Sequence, residues 1–80
     1  MSIKVLYFAR YREVLGLGEE GVEGDFATVD ALRLHLLARG DRAVLGERNL
    51  MCARNEELCT LDEPLSGGDE VAFFPTVTGG

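Results

Sequence analysis

The sequence lacks any long apolar run, which excludes a membrane-spanning helix from this chain. No stretch approaches the roughly 18 apolar residues that a span requires, and the N-terminus has no basic segment followed by an apolar signal core. We therefore expect a cytoplasmic protein. With 80 residues, 46% of them apolar, the chain has room for one small domain.

Basic residues are scarce. Eight lysines and arginines face 14 acidic residues, which gives a formal net charge of -6. A surface that follows a phosphate backbone needs the opposite charge, so nucleic acid is excluded as an expected partner. Neither the charge nor the apolar pattern predicts membrane association.

Histidine and cysteine are also scarce. His35 is the only histidine, which leaves little material for a serine triad or a histidine-rich zinc site, and we expect it at the surface or rim of a helix. Cys52 and Cys59 are too few for a secreted disulfide framework and lack the close spacing of a zinc knuckle or redox pair. They are interpreted as small buried hydrophobes with no chemistry, and no metal site is predicted.

The remaining pattern predicts alternating strands and helices. Residues 3–8 are β-branched and aromatic, as in a central strand. A short helix follows over residues 9–15 and ends at Gly16, and Thr28 caps the main helix, which ends before Gly40. Further strands are expected at residues 21–26, 50–54, 58–61 and 70–74.

Within the main helix, Val29, Leu32 and Leu36 share the core face and Leu34 is left exposed.

This order suits an α+β fold with a mixed sheet and helices on one face. A ferredoxin-like sandwich is the competing architecture. One dominant helix and a strand at each end of the chain favour a ubiquitin-like β-grasp, in which the first and last strands pair in parallel at the centre. We expect residues 1–80 to form one such domain, with a flexible tail over about residues 75–80.

Two further patterns carry little functional weight. Residues 16–21 match G-x-G-x-x-G, but a helix precedes them and a strand follows, the reverse of the dinucleotide-binding context, so they are interpreted as a flexible turn. Four acidic doublets begin at Glu19, Glu56, Asp62 and Asp69. They are expected in solvated turns, where their summed charge would steer a basic partner.

Strand parity predicts an apolar patch. In parallel register Lys4 lies near Glu70, Leu6 near Ala72 and Phe8 near Phe74, all on the face away from the helices. Contiguous exposed apolar surface usually marks a partner site. The alternative is that a loop covers it.

The C-terminus is the last signal. Beyond Phe74 the sequence Pro75, Thr76, Val77, Thr78, Gly79, Gly80 carries no side-chain charge and ends in two residues without side chains. Its carboxylate is suited to a narrow channel, although a merely loose end is the alternative. A carboxylate is a poor electrophile and needs activation, for example as an acyl adenylate. This chain has no nucleotide site, so another protein must activate it.

At this point residues 68–80 resemble the small subunits of molybdopterin synthases, the MoaD-type sulfur carriers of the ubiquitin-like family. Residues 3–9 with Arg12 and Glu13, and residues 28–33, resemble the same family in the same order. The resemblance is weakest between Asp41 and Glu57. The residues that lead into the tail, Phe73, Phe74 and Pro75, are typical of the molybdopterin branch of this family.

The resemblance implies a cycle carried by Gly80. An E1-like partner adenylates its carboxylate with ATP, a sulfur donor converts the adenylate to a thiocarboxylate, and the tail gives its sulfur to cyclic pyranopterin monophosphate in the large synthase subunit. Val77, Thr78 and Gly79 would give the tail its slender access. The family's usual complex is a heterotetramer in which the small subunit has no complete active site and no tightly bound cofactor. The residues expected at the partner contact are Leu6, Phe8, Phe74 and Pro75.

Other functions stay open from the sequence. A sulfur carrier for thiamine synthesis or tRNA thiolation ends in the same two glycines. A ubiquitin-like modifier would use the same adenylated terminus but form an isopeptide bond with a lysine. A plain interaction domain would not need the glycines. The activating enzyme, the sulfur donor and the choice of molybdenum or tungsten are not encoded in these patterns.

Overall fold

The computed structural model describes residues 1–76, which form five strands, two α-helices and one short 3-10 helix. The strands and helices, in chain order, are β1 Ser2–Tyr7, α1 Ala9–Leu15, β2 Glu19–Glu23, α2 Val29–Leu37, the 3-10 helix Ala43–Gly46, β3 Met51–Arg54, β4 Glu57–Cys59 and β5 Glu70–Phe74. Every predicted helix and strand is present, and the 3-10 helix is an addition.

The five strands form one sheet in the order β2-β1-β5-β3-β4. The central pair, β1 with β5, is parallel, and the other three pairs are antiparallel. This confirms the predicted ubiquitin-like β-grasp and its parallel central strands. The ferredoxin-like alternative is wrong.

The end of α1 and the start of α2 lie at the predicted signals, and α2 ends at Leu37, three residues before Gly40. The α1 helix ends at Gly16, whose φ of 72° is left-handed and whose N–H donates to the Arg12 carbonyl at 3.0 Å. The α2 helix begins after Thr28, whose hydroxyl accepts from the Ala31 N–H at 3.2 Å. These signals are local, which is why the sequence places them accurately.

Strand boundaries differ from the prediction by up to three residues. β2 begins at Glu19 because Leu6 pairs with Glu19 in the register of β1 and β2. It ends before Gly24, where φ is 153°, so Phe26 enters the core from a loop. β4 stops at Cys59, and the chain then turns toward the start of α2, where the Asp30 N–H donates to the Leu61 carbonyl at 2.8 Å.

The core lies between the helices and one face of the sheet. Alternate residues of β1 are buried there, as a strand with period two requires. The predicted core face of α2 is confirmed, and Leu34 is 51% exposed, also as predicted. The largest buried side chains are Tyr7, Tyr11, Phe73, Ile3, Leu32, Leu36, Leu45, Val5, Val29 and Val71.

The expectation that the acidic doublets lie in solvated turns is wrong in two respects. Four of these residues lie on strands: Glu19, Glu20, Glu57 and Glu70. Glu20 and Asp69 are also largely removed from solvent. Glu20 lies on β2 and accepts hydrogen bonds from the Tyr7 hydroxyl at 2.6 Å and from Arg42 at 3.0 and 3.1 Å, with Arg39 at 3.3 Å. Asp69 is buried beside Arg54. Both carboxylates gain long-range cationic partners that local sequence patterns do not reveal.

Candidate functional site

An apolar groove lies on the face of the sheet opposite the helices. It has a volume of about 210 Å³. Its lining residues come from β1, the junction that follows it, β3, the β3–β4 turn and β5: Leu6, Phe8, Ala53, Glu56, Glu70, Ala72 and Phe74. Phe8 is 46% exposed, so the predicted patch is confirmed, and no loop within residues 1–76 covers it.

Strand register brings the groove residues together. Leu6 lies opposite Ala72 in the parallel pair, and Ala53 lies opposite Ala72 in the antiparallel pair of β3 and β5. The small side chain of Ala72 forms the floor between Leu6 and Ala53 and is only 8% exposed. The predicted pairing of Leu6 with Ala72, and of Lys4 with Glu70, is confirmed.

Phe8 projects into the groove because β1 continues in extended conformation for one residue beyond its last pair. Its φ and ψ are -121° and 159°, and its N–H donates to the Phe73 carbonyl at 3.2 Å. The backbone then turns into α1. Phe8 therefore lines the same groove as Phe74, as strand parity predicted.

Carboxylates flank the groove. Glu70 is half-buried at the start of β5, and Glu56 is exposed in the β3–β4 turn with a φ of 71°. The Lys4 amine lies 3.3 Å from Glu19, and among residues 1–76 no ion pair involves Glu56 or Glu70. The groove thus combines an apolar floor with negative charge, which suits an apolar partner surface bordered by basic residues.

The β3–β4 turn is clamped to the start of β5, which fixes one end of the groove. The Asn55 N–H donates to the Glu70 carbonyl at 2.8 Å, and the Glu70 N–H donates to Asn55 Oδ1 at 2.9 Å. Arg54 Nε donates to Asp69 at 2.8 Å. The Arg54 guanidinium, with N–H donors from Ser66 and Asn55, lowers the pKa of Asp69 to about 2.

The tail leaves the sheet at the other end of the groove. Pro75 follows β5 and has no N–H to continue a ladder, and the Thr76 hydroxyl donates to the Asn49 carbonyl. The segment before Asn49 is anchored by Glu47, which accepts two hydrogen bonds from Arg10 at 2.8 and 3.0 Å. The Arg10 hydrogen bonds, with that of the Tyr11 hydroxyl, lower the pKa of Glu47 to about 2.

The predicted site divides into a part that the structure describes and a part that it does not. Leu6, Phe8 and Phe74 line the groove, and Pro75 is half-buried where the tail departs. The predicted carrier Gly80 and the access residues Val77, Thr78 and Gly79 lie outside the described residues. Their roles stay predictions.

Ala53 and Glu56 are groove residues that the sequence did not assign. Both belong to the β3–β4 hairpin, whose pairing with β5 is a long-range contact. The sequence did indicate the hairpin, since Asn55 and Glu56 were interpreted as a turn between two strands. The missing information was that β3 lies next to β5.

The other motifs fall where the structure gives them modest roles. In the G-x-G-x-x-G stretch, Gly16 ends α1 and Gly21 lies in β2, so the stretch lacks the helix that would follow a dinucleotide-binding turn, as predicted. The interpretation as a flexible turn is wrong for residues 19–21, which belong to β2. His35 is exposed, with its ring centre 5.0 Å from that of Phe26, which confirms a rim position.

Cys52 is buried, as predicted, whereas Cys59 is half-buried, so the expectation of two buried cysteines is wrong for Cys59. Their sequence spacing is not that of a redox pair, but the fold still brings them together. Cys52 lies directly opposite Cys59 in the antiparallel register of β3 and β4. Seven residues apart in sequence, the two thiols meet because the hairpin folds back on itself.

Two further facts concern residues 1–76. No helix there is long and apolar enough to cross a membrane. Within the same range no three histidine, cysteine or acidic side chains cluster in a way that would hold a metal ion.

Comparison with known proteins identifies relatives along essentially the whole chain. The curated molybdopterin synthase sulfur carrier subunit of Escherichia coli is 51% identical over 80 residues, covering 98% of this chain and 99% of that protein. The subunit of the same name from Haemophilus influenzae is 44% identical with the same coverage.

Solved structures share the fold as well as the sequence. A chain in the complex of subunits 1 and 2 of the molybdopterin-converting factor from Helicobacter pylori is 27% identical, with both chains fully covered and a TM-score of 0.69. The small archaeal modifier protein 1 of Haloferax volcanii is 32% identical, with a TM-score of 0.75 over 95% of this chain and 98% of that one. A sequence model of the ThiS family matches residues 5–80, and this chain therefore belongs to the ThiS family.

Proposed function

We propose that this chain is the sulfur carrier subunit of a molybdopterin synthase and that its C-terminal Gly80 carries the sulfur as a thiocarboxylate. The observation that carries the proposal is an open apolar groove that ends at Phe74, immediately before the tail leaves the sheet. Two curated relatives with this name, covered along their whole length, support it.

The groove and the tail have separable tasks. The groove buries apolar surface against the large subunit, which gives binding energy that is independent of the reacting atoms. Docking there fixes the position of Pro75, from which only five residues remain to Gly80. A docked body and a short tail together confine the terminal carbon to a small volume of the partner's active site.

Loading begins with the terminal carboxylate. An oxygen of Gly80 attacks the α-phosphorus of ATP in an E1-like enzyme, the bond to pyrophosphate breaks, and an acyl adenylate forms. Hydrosulfide supplied by a sulfur donor then attacks the acyl carbon, AMP leaves with the oxygen, and the sulfur loses its proton. The product is a thiocarboxylate whose sulfur is nucleophilic but remains covalently held.

Delivery reverses the attachment. The thiocarboxylate sulfur forms a bond to a carbon of cyclic pyranopterin monophosphate while the bond from that carbon to its oxygen substituent breaks and the oxygen leaves. Water then cleaves the acyl–sulfur bond and restores the Gly80 carboxylate. A dithiolene contains two sulfurs, so two loaded carriers are consumed for each product. In this scheme ATP is a substrate of the activating partner, and the carrier holds no tight cofactor.

The expected partners follow from this cycle. The large synthase subunit is the partner of the groove, which is supported by the likeness to a chain of the two-subunit complex from Helicobacter pylori. We propose a heterotetramer of two small and two large subunits, together with transient complexes of the carrier with an E1-like enzyme and a sulfur donor. All of these steps take place in the cytoplasm in our proposal.

A second candidate is a protein modifier, favoured by the 32% identity to the archaeal modifier protein. A modifier would pass the activated acyl group to a lysine amine, with loss of AMP, instead of accepting sulfur. Conjugates that survive a denaturing gel and disappear when Gly80 is deleted would favour this candidate over the sulfur carrier.

Sulfur transfer in a defined mixture tests the proposal. Loaded carrier, the large subunit and cyclic pyranopterin monophosphate are mixed, and dithiolene product is measured. The protein with one alanine added after Gly80 is expected to form no product, and the matched control with alanine added before Met1 is expected to match the parent. Full activity of the C-terminal extension would contradict the proposal, provided that both proteins show the same circular dichroism.

A further inference from the structure

Cys52 and Cys59 form a cross-strand thiol pair at the edge of the sheet. They are directly opposed in the register of β3 and β4, and their sulfurs lie 3.7 Å apart. The Cys52 thiol also donates to the Cys59 carbonyl at 3.4 Å. Neither residue takes part in the groove or the tail exit, so the proposed carrier function does not account for their proximity.

The backbone geometry at this pair is compatible with a disulfide. Directly opposed residues of antiparallel strands have Cα atoms about 4.5 to 5.5 Å apart, and disulfides span Cα separations of about 4.4 to 6.8 Å. The sulfurs need to approach from 3.7 Å to about 2.05 Å. Rotation of the two side chains supplies most of this movement. The backbone of β4 can adjust to the rest, because β4 is a three-residue edge strand that pairs with a neighbour on one side only.

The two thiols differ in access. Cys52 is 3% exposed, whereas Cys59 is half-buried. A polar pocket of about 250 Å³ opens over Cys59, with Arg54 and Glu63 among its lining residues. A hydrophilic disulfide such as glutathione disulfide can therefore approach Cys59 through this opening and cannot reach Cys52 directly.

Both thiols are protonated at neutral pH. Burial, and to a smaller extent the hydrogen bond with Cys59, raises the pKa of Cys52 to about 12. Burial also raises the pKa of Cys59 above its ordinary value. Because the thiolate is the attacking species, we expect oxidation on the scale of minutes to hours.

We propose that Cys52 and Cys59 are a reversible dithiol–disulfide site, in which Cys59 reacts first and Cys52 resolves. The Cys59 thiolate attacks one sulfur of glutathione disulfide, that S–S bond breaks, and one glutathione leaves and takes up a proton. Cys52 then loses its proton and attacks the Cys59 sulfur, which releases the second glutathione. Two protein thiols are oxidised, and one glutathione disulfide is reduced to two glutathione molecules.

Oxidation would act on the hairpin that carries one wall of the groove. The disulfide joins β3 to β4 on the core face, while Ala53, the next residue of β3, lines the groove on the other face. Oxidation therefore constrains the β3 backbone that carries Ala53, a residue of the groove wall. The disulfide itself blocks no groove side chain.

Equilibration of the full chain in glutathione buffers tests the proposal. The oxidised product is identified by intact mass as the loss of two hydrogen atoms, and the linkage is confirmed by the cysteine Cβ chemical shifts. Diluting the buffer about tenfold at a constant ratio of glutathione to its disulfide is expected to raise the ratio of oxidised to reduced protein about tenfold, because two glutathione molecules are released. A mixed disulfide with glutathione would not change with dilution, and finding only that species would overturn the proposal.

Matched variants assign the order of reaction. Cys52→Ser is expected to stop as a glutathione adduct on Cys59, whereas Cys59→Ser is expected to stay unmodified while folded. Cys52→Ala serves the same purpose if the serine variant does not fold. Equal modification of both single variants, or disulfide-linked dimers as the main product of the parent chain, would contradict an intramolecular site. The result is independent of sulfur transfer at Gly80.

Discussion

Leu6 and Ala72 lie opposite each other in the parallel pairing of β1 with β5, on the face of the sheet away from both helices. This pairing places the floor of the apolar groove on the two central strands, the most rigidly held part of the sheet. The same strand, β5, ends two residues later and continues into the tail. The groove and the tail are therefore connected through the same strand, β5.

Phe74→Arg tests whether the groove binds the large subunit. The substitution places an unpaired charge at a contact that becomes desolvated, and we expect a loss of about 2 kcal/mol or more, a weakening of roughly thirtyfold. Isothermal titration calorimetry gives the affinity. The control is Leu34→Arg, which introduces the same charge at an exposed apolar side chain on the helical face. Equal affinities of the two variants would refute a groove-mediated contact.

The acidic rim is expected to affect the rate of association more than the final affinity. Replacing Glu56 and Glu70 together by glutamine should lower the association rate constant several-fold at low salt, with little change in dissociation. Stopped-flow mixing with the large subunit at two salt concentrations measures both. Glu13→Gln, at an exposed carboxylate on α1, is the control for the loss of one charge, and each groove replacement is also measured singly against it. A change confined to the dissociation rate would count against steering.

Glu20→Gln tests the buried charge cluster beneath the sheet. Three partners, Tyr7, Arg39 and Arg42, donate to this carboxylate, so we expect a loss of about 1 to 3 kcal/mol in the free energy of unfolding near neutral pH. Urea unfolding gives the value, and Glu19→Gln is the control because its ion pair is exposed. Equal stabilities of the two variants would contradict a structural role for the cluster.

The same carboxylate predicts a pH dependence. Burial alone would raise the pKa of Glu20, but hydrogen bonds from Tyr7 and Arg42 and the arginine charges outweigh it and lower the pKa. A lowered folded-state pKa gives stability above the unfolded-state value of about 4.3 that is lost as the pH falls through the folded-state value. The difference between the parent and Glu20→Gln should therefore shrink in acid. A difference that stays constant or grows in acid would show that the pKa is not lowered.

Gly16→Ala tests the cap of α1. The φ of 72° is left-handed, so a Cβ is expected to cost about 1 kcal/mol even though no atom lies within 4 Å of it. Gly21→Ala is a close control, because its site is equally open and its φ is not positive. Thermal and urea unfolding should show a loss for Gly16→Ala alone. Parallel losses in both variants would mean that the backbone angle is not the cause.

The sequence predicted the parts of this molecule that depend on neighbours in the chain. Thr28 and Gly16 mark helix ends through contacts within four residues, and the parity of β1 and β5 gave the face of Leu6 and Phe74. These features need only local periodicity once the parallel pairing is assumed. The groove was therefore predicted with most of its residues.

The parts that were missed depend on contacts between distant segments. Glu20 was assigned to solvent because its partner Arg42 is 22 residues away. The proximity of Cys52 and Cys59 was not predicted, because only the register of a specific hairpin makes them opposite each other. Strand register and side-chain ion pairs are set by the whole fold, so single-sequence patterns do not determine them.

The tail is the central element of the proposed function. The intact mass of the chain shows most directly whether Gly80 has been loaded with sulfur. The purified chain is incubated with ATP, an E1-like activating enzyme and a sulfur source, and fragmentation locates any change; the variant with an alanine after Gly80 is the control. The account predicts a gain equal to one oxygen replaced by sulfur at Gly80, absent from the control. An unchanged mass, with partners that load another carrier of the family in the same mixture, would contradict it.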